Sequence, residues 1–149
     1  MRGIGEQLEF FDAPCEFYAV IAQGEGGVLS KDAYREFDAL YPEKKCCPSD
    51  NGALAAAIKI GDKATAYRHM GNALYRPGVS LNPGIARTLA ALGGAGALKT
   101  VMTGSGSACA GFFESPCAAA TAAERLKEAG FYARAVKTLK NGMEIMPIR

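Results

Sequence analysis

The feature that most constrains this chain is a pair of apolar runs, LKTVM and ACAGFF, held close together by TGSGS at residues 103–107. Thr100 and Val101 in the first run and Phe112 and Phe113 in the second favour strands, and the glycine-serine link breaks both. A connection this tight between two strands reads as an antiparallel turn, for which glycine and serine are the expected residues. The same residues also suit an anion site. Gly104 and Gly106 can take positive φ and leave no Cβ in the way, so successive N–H groups can line a concavity, while Thr103, Ser105 and Ser107 add hydroxyls. Residue types alone leave both readings open.

Two nucleotide motifs are excluded. GGAGALKT places Leu98 before Lys99 where a Walker A loop needs glycine, and TGSGSACAG contains no lysine. A dinucleotide fingerprint opens a helix, whereas this loop opens the strand-like ACAGFF. GGAGAL reads as a helix stop and turn.

The rest of the chain supplies partners for those strands. FYAVIA, residues 17–22, is a short continuous apolar run ended by QGEGG, as expected of a buried strand. Ser30 is placed to cap KDAYREFDALY, which puts Tyr34, Phe37, Leu40 and Tyr41 on one helical face before Pro42. Leu54 and Ile58 precede a stop at Gly61, and Asp62 caps KATAYRHMGNALY, where Ala66, Met70 and Leu74 repeat every four residues. Asn82 and Pro83 form a cap and first turn ahead of Ile85, Leu89 and Leu92. Ser115 and Pro116 start a last helix, with Ala119, Ala122, Leu126 and Ala129 inward and a stop at Gly130. FYARAVKT then alternates Phe131, Ala133 and Ala135 against Tyr132, Arg134 and Val136. The predicted fold class is α+β: a ferredoxin-like split βαβ sandwich, its sheet covered on one face by helices, with extra helices inserted after the first.

Length fits this plan, since 149 residues with 49% apolar and 21% charged side chains make one domain, residues 1–149. A net charge of +2, with no basic run interleaved with aromatics, excludes a nucleic-acid surface. No apolar stretch approaches the roughly 18 residues of a membrane span. Met1 is followed by Arg2, Gly3 and Glu6 rather than a signal-peptide core, so the chain reads as cytoplasmic.

The five cysteines, Cys15, Cys46, Cys47, Cys109 and Cys117, are odd in number and read as reduced thiols. With His69 the single histidine, no second ligand pair accompanies Cys46 and Cys47, and no metal site is expected. Asp32, Asp38, Asp50 and Asp62 sit where caps or solvated faces explain them, and Cys109 has apolar neighbours and no base nearby in sequence. No catalytic residue is therefore assigned. Tyr75 and Arg76 lie where they can reach a nucleotide or diphosphate, although an arginine at a helix end also serves as a dipole partner; Asn72 reads as a packing residue.

LKTVMTGSGSACAGFF resembles the third conserved motif of the GHMP kinase superfamily, and within it the 4-diphosphocytidyl-2-C-methyl-D-erythritol kinase family. RGIGEQLEFF, GVLSKDAYREFD and GNALYRPGVSLNPGI resemble further segments of that family in the same order. The resemblance implies a C-terminal kinase domain whose substrate- and phosphate-binding residues are Thr103, Gly104, Ser105, Gly106 and Ser107. It implies a reaction that moves the γ-phosphoryl of ATP to the C2 hydroxyl of a small-molecule substrate. ATP and Mg2+ serve the complete kinases, with neither held tightly by this chain alone. The phosphate loop, base aspartate and lysine belong to an N-terminal domain that this chain lacks, so it is expected to be inactive alone and to self-associate through an exposed interdomain face. The alternative is a stand-alone ligand-binding or interaction module of the same fold.

Overall fold

The computed structural model describes residues 13–43 and 50–139; Cys46, Cys47 and RGIGEQLEFF fall outside them. The first strand is β1 (Tyr18–Gln23), followed by five helices: α1 (Ser30–Leu40), α2 (Asn51–Ile60), α3 (Lys63–His69), α4 (Tyr75–Leu81) and α5 (Gly84–Gly94). The hairpin β2 (Lys99–Met102) and β3 (Cys109–Phe113), then α6 (Pro116–Glu128) and β4 (Tyr132–Lys137), complete the order. The sheet runs β2-β3-β1-β4 and every neighbouring pair is antiparallel, so the expected α+β split βαβ plan is present. Among the described residues no helix is long and apolar enough to cross a membrane.

Strand pairing sorts the core. Val20 faces Gly111 and Ala135, and Ala22 faces Cys109 and Ala133. With period-two alternation these residues, together with Phe113 and Met102, share one face of the sheet. That face receives α5 over β2 and β3 and α6 over β1 and β4. Ile85, Thr88 and Leu92 of α5 are fully buried, and Thr88 satisfies its hydroxyl by donating to the Gly84 carbonyl at 2.9 Å. A Cβ at Gly111 would lie 2.9 Å from Leu92 Cδ2, so glycine there lets α5 settle close against β3. In α6, Ala119, Ala122, Ala123 and Leu126 give a narrow apolar ridge.

The helix lying on the sheet between β1 and β2 is α5, not the helix that directly follows β1. α1 packs on α4 instead, and the single buried residue in it is Ala33. Its expected inward face is mostly outside: Tyr34 and Leu40 are exposed, and Phe37 alone of that set joins the main cluster. The inserted helices are therefore α1 to α4.

The helices also cover more than one face. Phe112 points away from Phe113 and joins Phe17, Ala57 and Ala66 in a second cluster with Tyr67 and Leu54. The Phe17 ring meets those of Tyr67 and Phe112 edge-on at 5.8 and 6.1 Å, so α2 and α3 close over the opposite side of the sheet.

Local signals explain most boundaries. Asp50 accepts from the Ala53 N–H and Asp62 from the Thr65 N–H, capping α2 and α3, and Gly61 ends α2 at φ +77°. Ser115 accepts from Ala118 N–H with Pro116 in the first turn of α6, and Gly130 follows at φ +86°. Several expectations fail. Pro83 rather than Asn82 holds the cap position of α5, although Asn82 Oδ1 still accepts from the Gly84 N–H at 2.9 Å. Leu29 rather than Ser30 occupies the cap position of α1. The helix expected through residues 63–75 breaks at Met70, whose backbone is extended. Ala129 lies beyond α6 and is exposed, and β4, at the sheet edge, buries Ala133 but not Ala135.

Candidate functional site

TGSGS closes the β2–β3 hairpin. The Thr103 N–H donates to the Ala108 carbonyl at 2.9 Å, the Thr103 hydroxyl donates to the same oxygen at 3.1 Å, and the Gly106 N–H returns to the Thr103 carbonyl at 3.0 Å. Gly104 at φ +54° and Gly106 at φ +92° supply the left-handed conformations that turn requires. Gly106 sits on the core: a Cβ there would lie 2.8 Å from Ile85 Cδ1 and 3.1 Å from Met102 Sδ. Gly104 faces open space.

The hydroxyls divide by task. Ser107 is buried, donates to the Gly26 carbonyl at 2.6 Å and accepts from Gln23 Nε2 at 2.9 Å, which fastens the far end of the loop to the exit of β1. Thr103 is spent on closing the hairpin. Ser105 meets Ser30 at 3.0 Å between hydroxyl oxygens, at the exposed start of α1. Ser30 thus contributes to the loop from a position where it is no cap.

The near end is held by Asn72, in the extended link between α3 and α4. Its Nδ2 donates to the carbonyls of Met102 at 2.7 Å and Gly104 at 2.9 Å, and its Oδ1 accepts from the Leu74 N–H at 2.8 Å. The packing role expected of Asn72 is thus a polar one, made directly to the loop. Gly71 and Asn72, two residues that favour turns inside an otherwise helical pattern, were the sequence signal for that break. Nothing local marked Gln23 or Ser30 as loop supports.

With these ties made, the N–H groups of Gly104 and Ser105 meet no acceptor among the described residues. Both residues line a cavity of about 590 Å3 between the loop and α1, together with Ser30, Tyr34, Phe37, Asp38 and Asn72. A second cavity, of about 530 Å3, lies on the other side of Asn72, between α5 and the outer edge of β2, with Tyr75, Leu89 and Lys99 in its walls. Arg76 is exposed on α4 and does not line either cavity. Beneath the loop the Cys109 thiol is pushed up to about 11 by burial and contacts the Ser107 carbonyl at 3.6 Å, the setting of an inert core thiol. Among the described residues no three His, Cys, Asp or Glu side chains gather as a metal site. The arrangement offers neutral hydrogen-bond donors on a rigid turn, which suits an anion.

Known proteins share this plan. The chain is 38% identical over 128 residues to the 4-diphosphocytidyl-2-C-methyl-D-erythritol kinase of Rhodococcus jostii (strain RHA1), covering 83% of this chain and 39% of that protein. It is 38% identical over 138 residues to the kinase of the same name from Nocardia farcinica (strain IFM 10152), covering 91% and 44%. A crystal structure of 4-(cytidine 5'-diphospho)-2C-methyl-D-erythritol kinase superposes with a TM-score of 0.70 at 28% identity, over 92% of this chain and 47% of that one. The chain therefore spans less than half the length of these relatives. Residues 53–131, more than half of the sequence and including the whole TGSGS loop, match the family described as GHMP kinases C terminal, and the chain belongs to that family.

Proposed function

We propose that this chain acts as the C-terminal domain of a 4-diphosphocytidyl-2-C-methyl-D-erythritol kinase and that residues 103–107 form one wall of its phosphate site. The observation that carries this reading is the pair of unpartnered N–H groups at Gly104 and Ser105, beside the Ser105 hydroxyl, at the mouth of the cavity against α1. Phosphoryl transfer rests on positioning and on stabilising charge spread over the phosphoryl oxygens. Donors of this kind hold phosphate oxygens in place. In this reading the Mg2+ ligands, the base that orients the C2 hydroxyl and the remaining ATP contacts come from an N-terminal domain, and the isolated chain does not turn over.

Mixing the chain with the separately produced N-terminal domain of the Rhodococcus jostii relative tests this. ATP-dependent phosphorylation of 4-diphosphocytidyl-2-C-methyl-D-erythritol is expected from the mixture and from neither part alone, with ATP slowing amide exchange at residues 103–107. A mixture that forms a stable complex yet shows neither turnover nor that protection overturns the reading.

A further inference from the structure

We propose that Asn72 is the positioning residue that sets which way the Gly104–Ser105 peptide points, and so whether the Ser105 N–H faces the anion site. The inference rests on the functional reading above for its consequence but not for its geometry. One amide nitrogen serves two carbonyls two residues apart, those of Met102 and Gly104. The orientation of the amide is fixed, because its oxygen is occupied by the Leu74 N–H and its NH2 must therefore face the loop.

In a trans peptide the carbonyl and the following N–H point in opposite directions. Drawing the Met102 carbonyl toward Asn72 sends the Thr103 N–H the other way, to its closing bond with Ala108. Drawing in the Gly104 carbonyl likewise turns the Ser105 N–H away from Asn72, where it is left free as a donor. Gly104, with open space around it and positive φ, is the residue at which the chain can most easily rotate this peptide over. Asn72 is what opposes that rotation. Ser107, tied to Gly26 and Gln23, fixes only the other end. Asn72 also lines both cavities.

Asn72→Asp keeps the shape, removes both donors and sets a carboxylate against two carbonyls. Asn72→Gln keeps the chemistry on a longer stem. Amide exchange on the isolated chain reads the clip without activity: in Asn72→Asp the Thr103 and Gly106 amides exchange about tenfold faster or more, since two hydrogen bonds are lost and each is worth about two- to twelvefold in the opening equilibrium. The β1 and β3 amides keep their wild-type rates. In the two-domain mixture, Asn72→Asp lowers kcat at least about tenfold with KM for the alcohol substrate little changed, and Asn72→Gln recovers part of it. Should Asn72→Asp fail to fold, Asn72→Ala, which removes the donors without adding charge, is read in its place. Unchanged loop exchange in a folded variant overturns the proposal, as does faster exchange with unchanged kcat. If the wild-type mixture forms a stable complex with neither turnover nor ATP protection of the loop, the functional reading falls while the exchange measurement still decides the clip.

Discussion

Gly106 and Gly104 share the left-handed conformation but differ in what lies beneath them, and that difference fixes what alanine should do at each. At Gly106 an alanine pays twice. Holding a side chain at φ +92° costs about 1–2 kcal/mol. Its Cβ then meets Ile85 Cδ1 at 2.8 Å and Met102 Sδ at 3.1 Å, and relieving such overpacking in a dense core costs about 1–3 kcal/mol. Together, less the about 0.4–1 kcal/mol that alanine removes from the unfolded chain's entropy, Gly106→Ala should lose about 1–4.6 kcal/mol, which for a domain of this size lowers Tm by about 2–18 °C. At Gly104, φ +54° carries the conformational cost alone, offset in part by the about 0.4–1 kcal/mol that alanine removes from the unfolded chain's entropy. Gly104→Ala should therefore lose no more than about 1.6 kcal/mol. Urea unfolding at constant m-value measures both. Trimming the struck atom gives a sharper check: Ile85→Val alone should cost about 0.5–1.5 kcal/mol, but combined with Gly106→Ala it should return at least about 1 kcal/mol of the clash. Equal losses at the two glycines, or strict additivity with Ile85→Val, would refute the account of the loop as a turn seated on Ile85 and Met102.

Two further outcomes follow from titrating groups. The Asp62 carboxyl is held below its ordinary value of 3.8, chiefly by the Thr65 side chain and then by the Thr65 N–H. It therefore adds stability above the usual carboxylate range that is lost as pH falls through its lower folded value; Asp62→Asn should flatten the acid limb of a Tm-against-pH curve below about pH 4. Cys109, raised to about 11, should resist iodoacetamide at pH 8 while exposed Cys117 is labelled, as peptide mass mapping would show; labelling of Cys109 in the folded chain at a comparable rate would contradict its burial.

How much of this could be read from the sequence depends on how local the physics is. Caps at Asp62 and Ser115 and stops at Gly61 and Gly130 lie within one turn of the helices they bound, and each was legible. So were the hairpin and the continuous apolar run of β1, because a short apolar segment and a tight connection leave few other folds. Ser30 was misread because its partner, Ser105, is 75 residues away, and hydroxyl chemistry looks the same in a cap. The helix through residues 63–75 was overextended because Ala66, Met70 and Leu74 keep helical spacing, while Asn72 is drawn out of the helix by carbonyls 30 and 32 residues on. That α5 rather than α1 lies on the sheet depended on Gly111 leaving room for Leu92, a fact about two elements at once. At the site, the glycines and hydroxyls were visible as types, but which hydroxyls are already engaged was not.

The ties at Asn72, Gln23, Gly26 and Ser30 also bear on portability. A hairpin cut out as residues 98–113 still contains the partners of the bonds between Thr103, Ala108 and Gly106, yet loses every outside restraint that holds them closed, including those bridging 81 and 84 residues to Gly26 and Gln23. Contacts of such long sequence separation form only as distant segments dock. The loop's shape therefore belongs to the assembled domain rather than to its glycine motif. Transplanting TGSGS into another hairpin would carry over a turn, and restoring the donor geometry would require grafting the asparagine link and the strand exit along with it.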